Sequence, residues 1–335
     1  MKKKSFPIVI GVLIFLTITI ILLGLCWGTY KISLLDMIQV LLGNGTKMQN
    51  TAVFTIRLPR IMVAVVVGIA LSTAGGLLQT VTRNDLADTG VMGINAGAAL
   101  FVVIYIQSKG MNYYEQLSNL TIFAIPLVAV TGAALAAIFI YTLSNKKGVK
   151  PQRLILVGMG MNIGINAVVT FIQLKGSAGD YNRALVWTSG SLWGSSWKYF
   201  IVVTPIILLF YFLTLYKYKT MDIMELGEEL PIGLGIHIEK ERKQLLFYAV
   251  ALAGAATAVA GNIGFLGLLA PHIARKLVGP SHKKYLSIGA MISVIVIVLA
   301  DSISRNCFSP LEIPVGLTIS FIGVPYFIYL MLKEK

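Results

Sequence analysis

The feature that most constrains this chain is a series of long charge-free apolar stretches that recurs from one end to the other. They occupy 5–30, 61–82, 89–108, 116–145, 154–174, 199–216, 245–271, 285–300 and 313–332. A bilayer core about 30 Å thick takes about 20 residues of helix per crossing. Lipid offers no partner to an open backbone, so such stretches cross as helices. Only 13% of the 335 residues are charged, against about 25% in soluble domains, too few to cover a water-facing surface. The chain is therefore read as an all-α, polytopic membrane protein. Its net charge of +14 would suit a nucleic-acid binder in a soluble context, but the apolar content argues against nucleic acid. Cys26 and Cys307 lie far apart in apolar surroundings, which leaves neither a disulfide framework nor a zinc cluster.

Orientation follows from Lys and Arg. With the N-terminus inside and ten crossings, the inside loops hold nineteen basic residues and the outside loops nine. The first stretch follows Lys2, Lys3 and Lys4, yet it is longer than the apolar region of a signal peptide, about 7–15 residues, and is retained as a span. The basic clusters at 240–243 and 275–284 both read as inside, so the chain between them crosses an even number of times. About 35 residues are too few for two full crossings of about 20 each. A short pair turning near Asn262-Ile263-Gly264 is expected. The glycine pairs 93/97, 160/164 and 190/194 have the spacing that lets helix backbones approach closely.

The absences narrow the chemistry. No G-x-x-x-x-G-K-[ST] occurs, so a P-loop for ATP is missing. His237, His272 and His282 show no metal-ligand spacing. Asp301 reads as the one acid at depth, with Arg305 a turn away; a structural ion pair is expected, and a proton relay normally needs more buried acids. Arg57-Leu58-Pro59-Arg60 opens the second span, either as snorkelling anchors or as a presented cationic patch. Arg83-Asn84-Asp85-Leu86-Ala87-Asp88 forms a tight inside loop. Residues 220–238 form the longest inside connection and carry Met224, Leu226, Ile232, Leu234 and Ile236. That segment reads as a membrane-surface helix or as a docking helix for a cytoplasmic partner. Gly264 to Arg275 (GFLGLLAPHIAR) places Pro, His and Arg at the inner end of the short span.

In this order and at these separations, R-L-P-R at 57–60, N-x-L-A-D at 84–88 with Gly90 to Gly97 after it, G-F-L-G-L-L-A-P-H-I-A-R at 264–275 and A-D-x-x-x-R at 300–305 resemble the permease family of bacterial ABC importers for ferric siderophores, haem and cobalamin. The resemblance covers essentially the whole chain, 1–335, as one permease domain. It implies a cobalamin-importer-permease-like fold of ten helices in the bacterial cytoplasmic membrane, with both termini cytoplasmic. The implied partners are a dimer of ATP-binding subunits, a second permease subunit, identical or paralogous, and an extracytoplasmic substrate-binding protein. A ferric siderophore is the implied substrate, with haem and cobalamin as alternatives. No cofactor is implied, and ATP hydrolysis belongs to the partner.

Position by position, the resemblance implies that Arg57, Arg60 and Arg305 meet acidic residues of the binding protein. Asn84 and Leu86 belong to an inner gate loop. The ATPase is coupled through Leu226, Gly227, Glu228, Pro231, Leu234 and Gly235. Asn162, Asn166 and Thr170 line the translocation path. Asp85 stands where many relatives have Pro, which implies a looser gate loop. Pro231 replaces a small helix former, so the second coupling helix is expected to begin at or just before it. Exchanging Arg57 and Arg60 for Glu is expected to weaken docking and leave expression intact. Two rivals, an ion-coupled secondary transporter and a membrane-embedded enzyme, lack the buried ionisable groups or the nucleophile and metal constellation they need.

Overall fold

A computed structural model describes residues 6–28, 30–109, 119–145, 150–227, 229–307 and 311–333. Lys2–Lys4 and Glu228, invoked above, lie outside the described residues. The first half comprises α1 (Phe6–Cys26), α2 (Leu34–Leu41), α3 (Lys47–Asn50), a π-helical stretch (Thr51–Arg57) running into α4 (Leu58–Thr82), α5 (Ile94–Lys109), α6 (Asn119–Ser144) and α7 (Pro151–Lys175). After it come α8 (Ala178–Thr188), α9 (Trp197–Tyr216), α10 (Tyr218–Met224), α11 (Glu229–Gly233), α12 (Ile238–Ala260), α13 (Leu266–Val278), α14 (His282–Asn306) and α15 (Val315–Lys333). No strand occurs among the described residues. The expected crossings correspond to α1, α4, α5, α6, α7, α9, α12, α13, α14 and α15. Among the described residues, seven helical segments are long and apolar enough to cross a membrane, and α5 and α15 supply shorter apolar helices.

Contacts define the two ends of the bundle without reference to a membrane. Residues 83 and 227, 85 and 275, 217 and 241, and 222 and 282 meet at one end, the α10–α11 end. Residues 25, 57, 60, 301, 305 and 312 meet at the other, the Arg57 end. Chain segments near 241 and 275 therefore share an end, and α12 and α13 form the expected short pair. The turn occupies 261–265, and the thirteen residues of α13 rise about 20 Å at 1.5 Å each. Gly261 has φ +68°, and a Cβ there would fall 2.1 Å from the Trp187 carbonyl oxygen. The interrupted helix leaves carbonyls unpaired, and Ser191 N–H donates to that of Ala260 at 2.8 Å.

That cover comes from the segment after α8, a helix not expected from sequence. Gly190 and Gly194 are correspondingly turn residues with φ of +76° and +77°, not a helix-packing pair. The core is α4, buried along nearly its whole length. Its small residues permit backbone contact: a Cβ on Gly75 would fall 2.0 Å from the Gly267 oxygen on α13. Gly97 packs on Gly132 of α6, but Gly93 is a turn residue with φ +79° set against Gly158 and Asn162 of α7, so the two do not form one packing pair; Gly160 and Gly164 of α7 face nothing within 4 Å of a Cβ in this chain.

Candidate functional site

At the Arg57 end the three arginines come together, turned inward. Arg57 is 4% exposed, Arg60 7% and Arg305 9%. The Arg57 guanidinium donates to the carbonyls of Leu25 (2.6 Å), Cys26 (3.3 Å) and Tyr30, closing the frayed end of α1. A side chain on Gly28 would occupy the space of that guanidinium. Arg60 pairs with Asp301 at 2.8 Å and Glu312 at 2.9 Å. Arg305 pairs with Asp301 at 3.1 Å and donates to the Gly24 carbonyl at 3.4 Å. The expected Asp301–Arg305 pair is present, enlarged by Arg60. The presented cationic patch is corrected: these guanidiniums are consumed by carbonyls and carboxylates of their own chain, because burying them unpaired would be prohibitive. Of the network, Glu312 is the exposed member.

At the opposite end, α4 closes on Arg83 in the left-handed conformation, φ +49°. Asn84 then holds the loop: its Oδ1 accepts from Leu86 N–H at 2.9 Å, the turn that Asn favours. Asn84 and Leu86 are both half-buried. Asp85 pairs with Arg275 of α13. The residue expected to loosen this loop thus ties it to a neighbouring helix. Arg83 donates to the Gly227 carbonyl at 2.7 Å, joining the loop to the α10–α11 connection.

Asp88 departs from expectation. It is a loop acid, yet it is 3% exposed, as deeply enclosed by the protein as Asp301 is. The loop doubles back and sets Asp88 against α13, where a Cβ on Gly267 would fall 2.3 Å from Oδ1. That oxygen has no hydrogen-bond partner. Burial pushes the carboxyl up to about 6, against the pull of the Gly90, Thr89 and Phe265 N–H groups.

α10 and α11 form a knuckle at this end. Met221, Met224 and Pro231 are buried beneath it, while Leu226, Leu230, Ile232 and Leu234 are exposed, Leu234 by 67%. α11 runs Glu229–Gly233 with Pro231 in its first turn, where the ring is tolerated. Gly227 (φ +118°) and Gly235 (φ +79°) bracket it.

Asn162, Asn166 and Thr170, spaced by four, share one face of α7. Asn166 Nδ2 donates to Asn162 Oδ1 at 2.8 Å and Thr170 Oγ1 to the Asn166 carbonyl at 3.0 Å. Asn166 and Thr170 are exposed, beside Ile163 and Phe171, so α7 offers an uncharged face that this chain leaves uncovered. No group of three or more His, Cys, Asp or Glu that could hold a metal occurs among the described residues.

The FecCD transport family matches residues 16–333. The chain belongs to that family. It is 45% identical to the iron(3+)-hydroxamate import system permease protein FhuG of Bacillus subtilis (strain 168), covering 99% of each chain. It is 35% identical to the probable siderophore transport system permease protein YfhA of the same organism, over 100% of this chain and 96% of that one. Among solved structures, a metal-chelate type ABC transporter in an inward-facing conformation matches with a TM-score of 0.85 at 25% identity, over 98% of this chain and 99% of that one. As a FecCD protein the chain is a multi-pass membrane permease of the ABC-importer class, a transport subunit, as the ordered motifs imply.

Proposed function

We propose that this chain is the permease subunit of an ATP-driven importer that moves a ferric siderophore of the hydroxamate class across the bacterial cytoplasmic membrane. The observation that carries the reading is the end-to-end likeness to FhuG. In this reading both termini are cytoplasmic and the α10–α11 end faces the cytoplasm. A ferric chelate is bulky and must be released, so it needs a wide and weakly binding path. The uncharged face of Asn162, Asn166 and Thr170, completed by a second permease subunit, identical or paralogous, suits that need.

A dimer of ATP-binding subunits seats the knuckle, receiving Leu226, Leu230, Ile232 and Leu234. Pro231 and the bracketing Gly227 and Gly235 set its shape, and Glu228 belongs to the same coupling segment of the sequence. Asn84 and Leu86 belong to the gate loop just above it. The binding protein docks at the Arg57 end. Arg57, Arg60 and Arg305 act there by holding the helix ends in place. Three arginines against Asp301 and Glu312 leave one net positive charge, and Lys31 and Lys47 are exposed on the same side.

Uptake of radioactive iron by cells lacking the gene, and by the complemented strain, tests the substrate. Restored uptake of a ferric hydroxamate with no change for ferric citrate or haem is expected. Restoration of haem uptake alone overturns the assignment.

A further inference from the structure

One side chain of α10 reaches the first turn of a spanning helix. Asp222 Oδ1 accepts from the His282 backbone N–H at 2.8 Å and stands 2.6 Å from His282 Nδ1. It occupies the N-terminal end of the 25-residue α14, where unpaired N–H groups and the helix dipole favour a carboxylate. An ionised carboxylate only accepts, which puts the ring proton on Nδ1 and leaves Nε2 as an acceptor. The Thr80 hydroxyl lies 2.7 Å from Nε2, on the last turn of α4 and three residues before Arg83; the Gly76 carbonyl, 2.9 Å from the same hydroxyl, competes for its proton, and the Glu225 carboxylate stands 3.4 Å from Nε2. Tyr285, one turn further along α14, has its hydroxyl 3.5 Å from Thr80 Oγ1 and 3.3 Å from Arg275 Nη2. Arg275 in turn pairs with Asp85 of the gate loop.

The inner part of the route is closed to solvent, since His282 and Tyr285 are both fully buried, while Asp222 at its outer end is half-buried. Buried polar groups hold their geometry because an unmade hydrogen bond there is costly. A bond chain of this kind cannot let α10 shift while α4 stays in place without leaving a donor or acceptor unpaired. Apolar contacts such as those of Met221 and Met224 tolerate sliding and impose no such condition.

We propose that Asp222, His282 and Thr80 form a clasp that positions the end of α4, passing displacement of α10 to the gate loop at 83–93. The proposal rests on the coupling role given to the α10–α11 knuckle. It assigns positioning roles to three residues outside the motifs that identify the family.

Thr80→Val removes the hydroxyl at nearly constant volume, Thr80→Ser keeps it, and Asp222→Asn weakens the bond to His282. In proteoliposomes holding the permease with its ATPase and binding protein, Thr80→Val and Asp222→Asn are expected to keep ATP hydrolysis near the wild-type rate. Ferric-hydroxamate uptake per ATP should fall roughly tenfold, a size ordinary for coupling between sites. Thr80→Ser should keep the wild-type ratio. A purely structural role would lower uptake and hydrolysis together, and an unchanged or proportionate result overturns the clasp.

Amide hydrogen exchange on the purified permease alone separates this from the coupling reading. Thr80→Val should speed exchange across 84–92 while 66–76 on α4 stays protected; unchanged exchange in the loop overturns the clasp. If the wild-type chain binds no ATPase, the coupling reading fails, and the exchange result still decides whether the clasp holds the loop.

Discussion

Both ends of the bundle are built on arginines, and the two sets are used differently. At the Arg57 end, three guanidiniums from the α4 and α14 ends are buried and locked to carbonyls and acids of the same chain. At the α10–α11 end, Arg83 and Arg275 bridge to short segments, the 83–93 loop and the knuckle connection, and the knuckle's Leu226, Leu230, Ile232 and Leu234 project outward. A buried ion network is weak evidence for net stability, but removing one partner is severe because it strands the others. Bridges between short exposed segments can be remade at modest cost. The contrast describes a molecule with one fixed end and one jointed end.

The harshest way to break that contrast is at the fixed end. Arg57→Glu with Arg60→Glu sets one carboxylate against the Leu25, Cys26 and Tyr30 carbonyls and another beside Asp301 and Glu312, and leaves Arg305 as the last arginine of the network. From sequence this pair of changes is expected to weaken docking alone; the buried geometry predicts loss of folded protein, seen as a collapsed monodisperse yield in detergent. The milder Asp301→Asn leaves Arg305 without a carboxylate and Arg60 with Glu312 alone, and should cost about 3–5 kcal/mol, read from thermal unfolding.

Asp88 sharpens the comparison through pH. Its carboxyl is raised from 3.8 to about 6 in the folded chain, so ionisation opposes folding. Its effect is absent below the unfolded value, grows between about 4 and 6, and is complete above. Wild-type stability should therefore rise as pH falls from 7 to below 4, with a full span of about 3 kcal/mol. Asp88→Asn should remove this component, and a variant with the same pH profile as wild type would refute the assignment.

At the jointed end, Leu234→Asp should leave unfolding unchanged because the side chain is exposed. Retention of the ATPase on co-purification should fall roughly tenfold, about 1.4 kcal/mol. The smallest effect is expected on α7. Asn166→Ala should alter stability by less than about 0.5 kcal/mol while changing uptake a few-fold, without affecting ATPase retention.

The placement of basic residues made the crossings legible, and parity between 240–243 and 275–284 forced the short α12–α13 pair. The gathering of Arg57, Arg60 and Arg305 at one end was legible for the same reason. Their inward turn was not, because Arg60 and Asp301 lie 241 residues apart and no local pattern announces their contact. α8 escaped notice because Ala178–Thr188 mixes polar, charged and apolar residues with no long apolar run. Asp88 reads as loop polarity until the loop is seen to double back onto Gly267. His282 drew attention for lacking metal-ligand spacing, when its two ring nitrogens are occupied by Asp222 and Thr80. Sequence spacing conveys helix length and sidedness; it carries little about which distant polar groups share a burial site.

The most direct test of the account is uptake of a radioactive ferric hydroxamate by proteoliposomes containing this permease, its ATPase and its binding protein. Uptake is expected to require ATP on the α10–α11 side and to persist when ionophores collapse every ion gradient. Uptake that proceeds without ATP and stops on collapse of a proton or sodium gradient would contradict it.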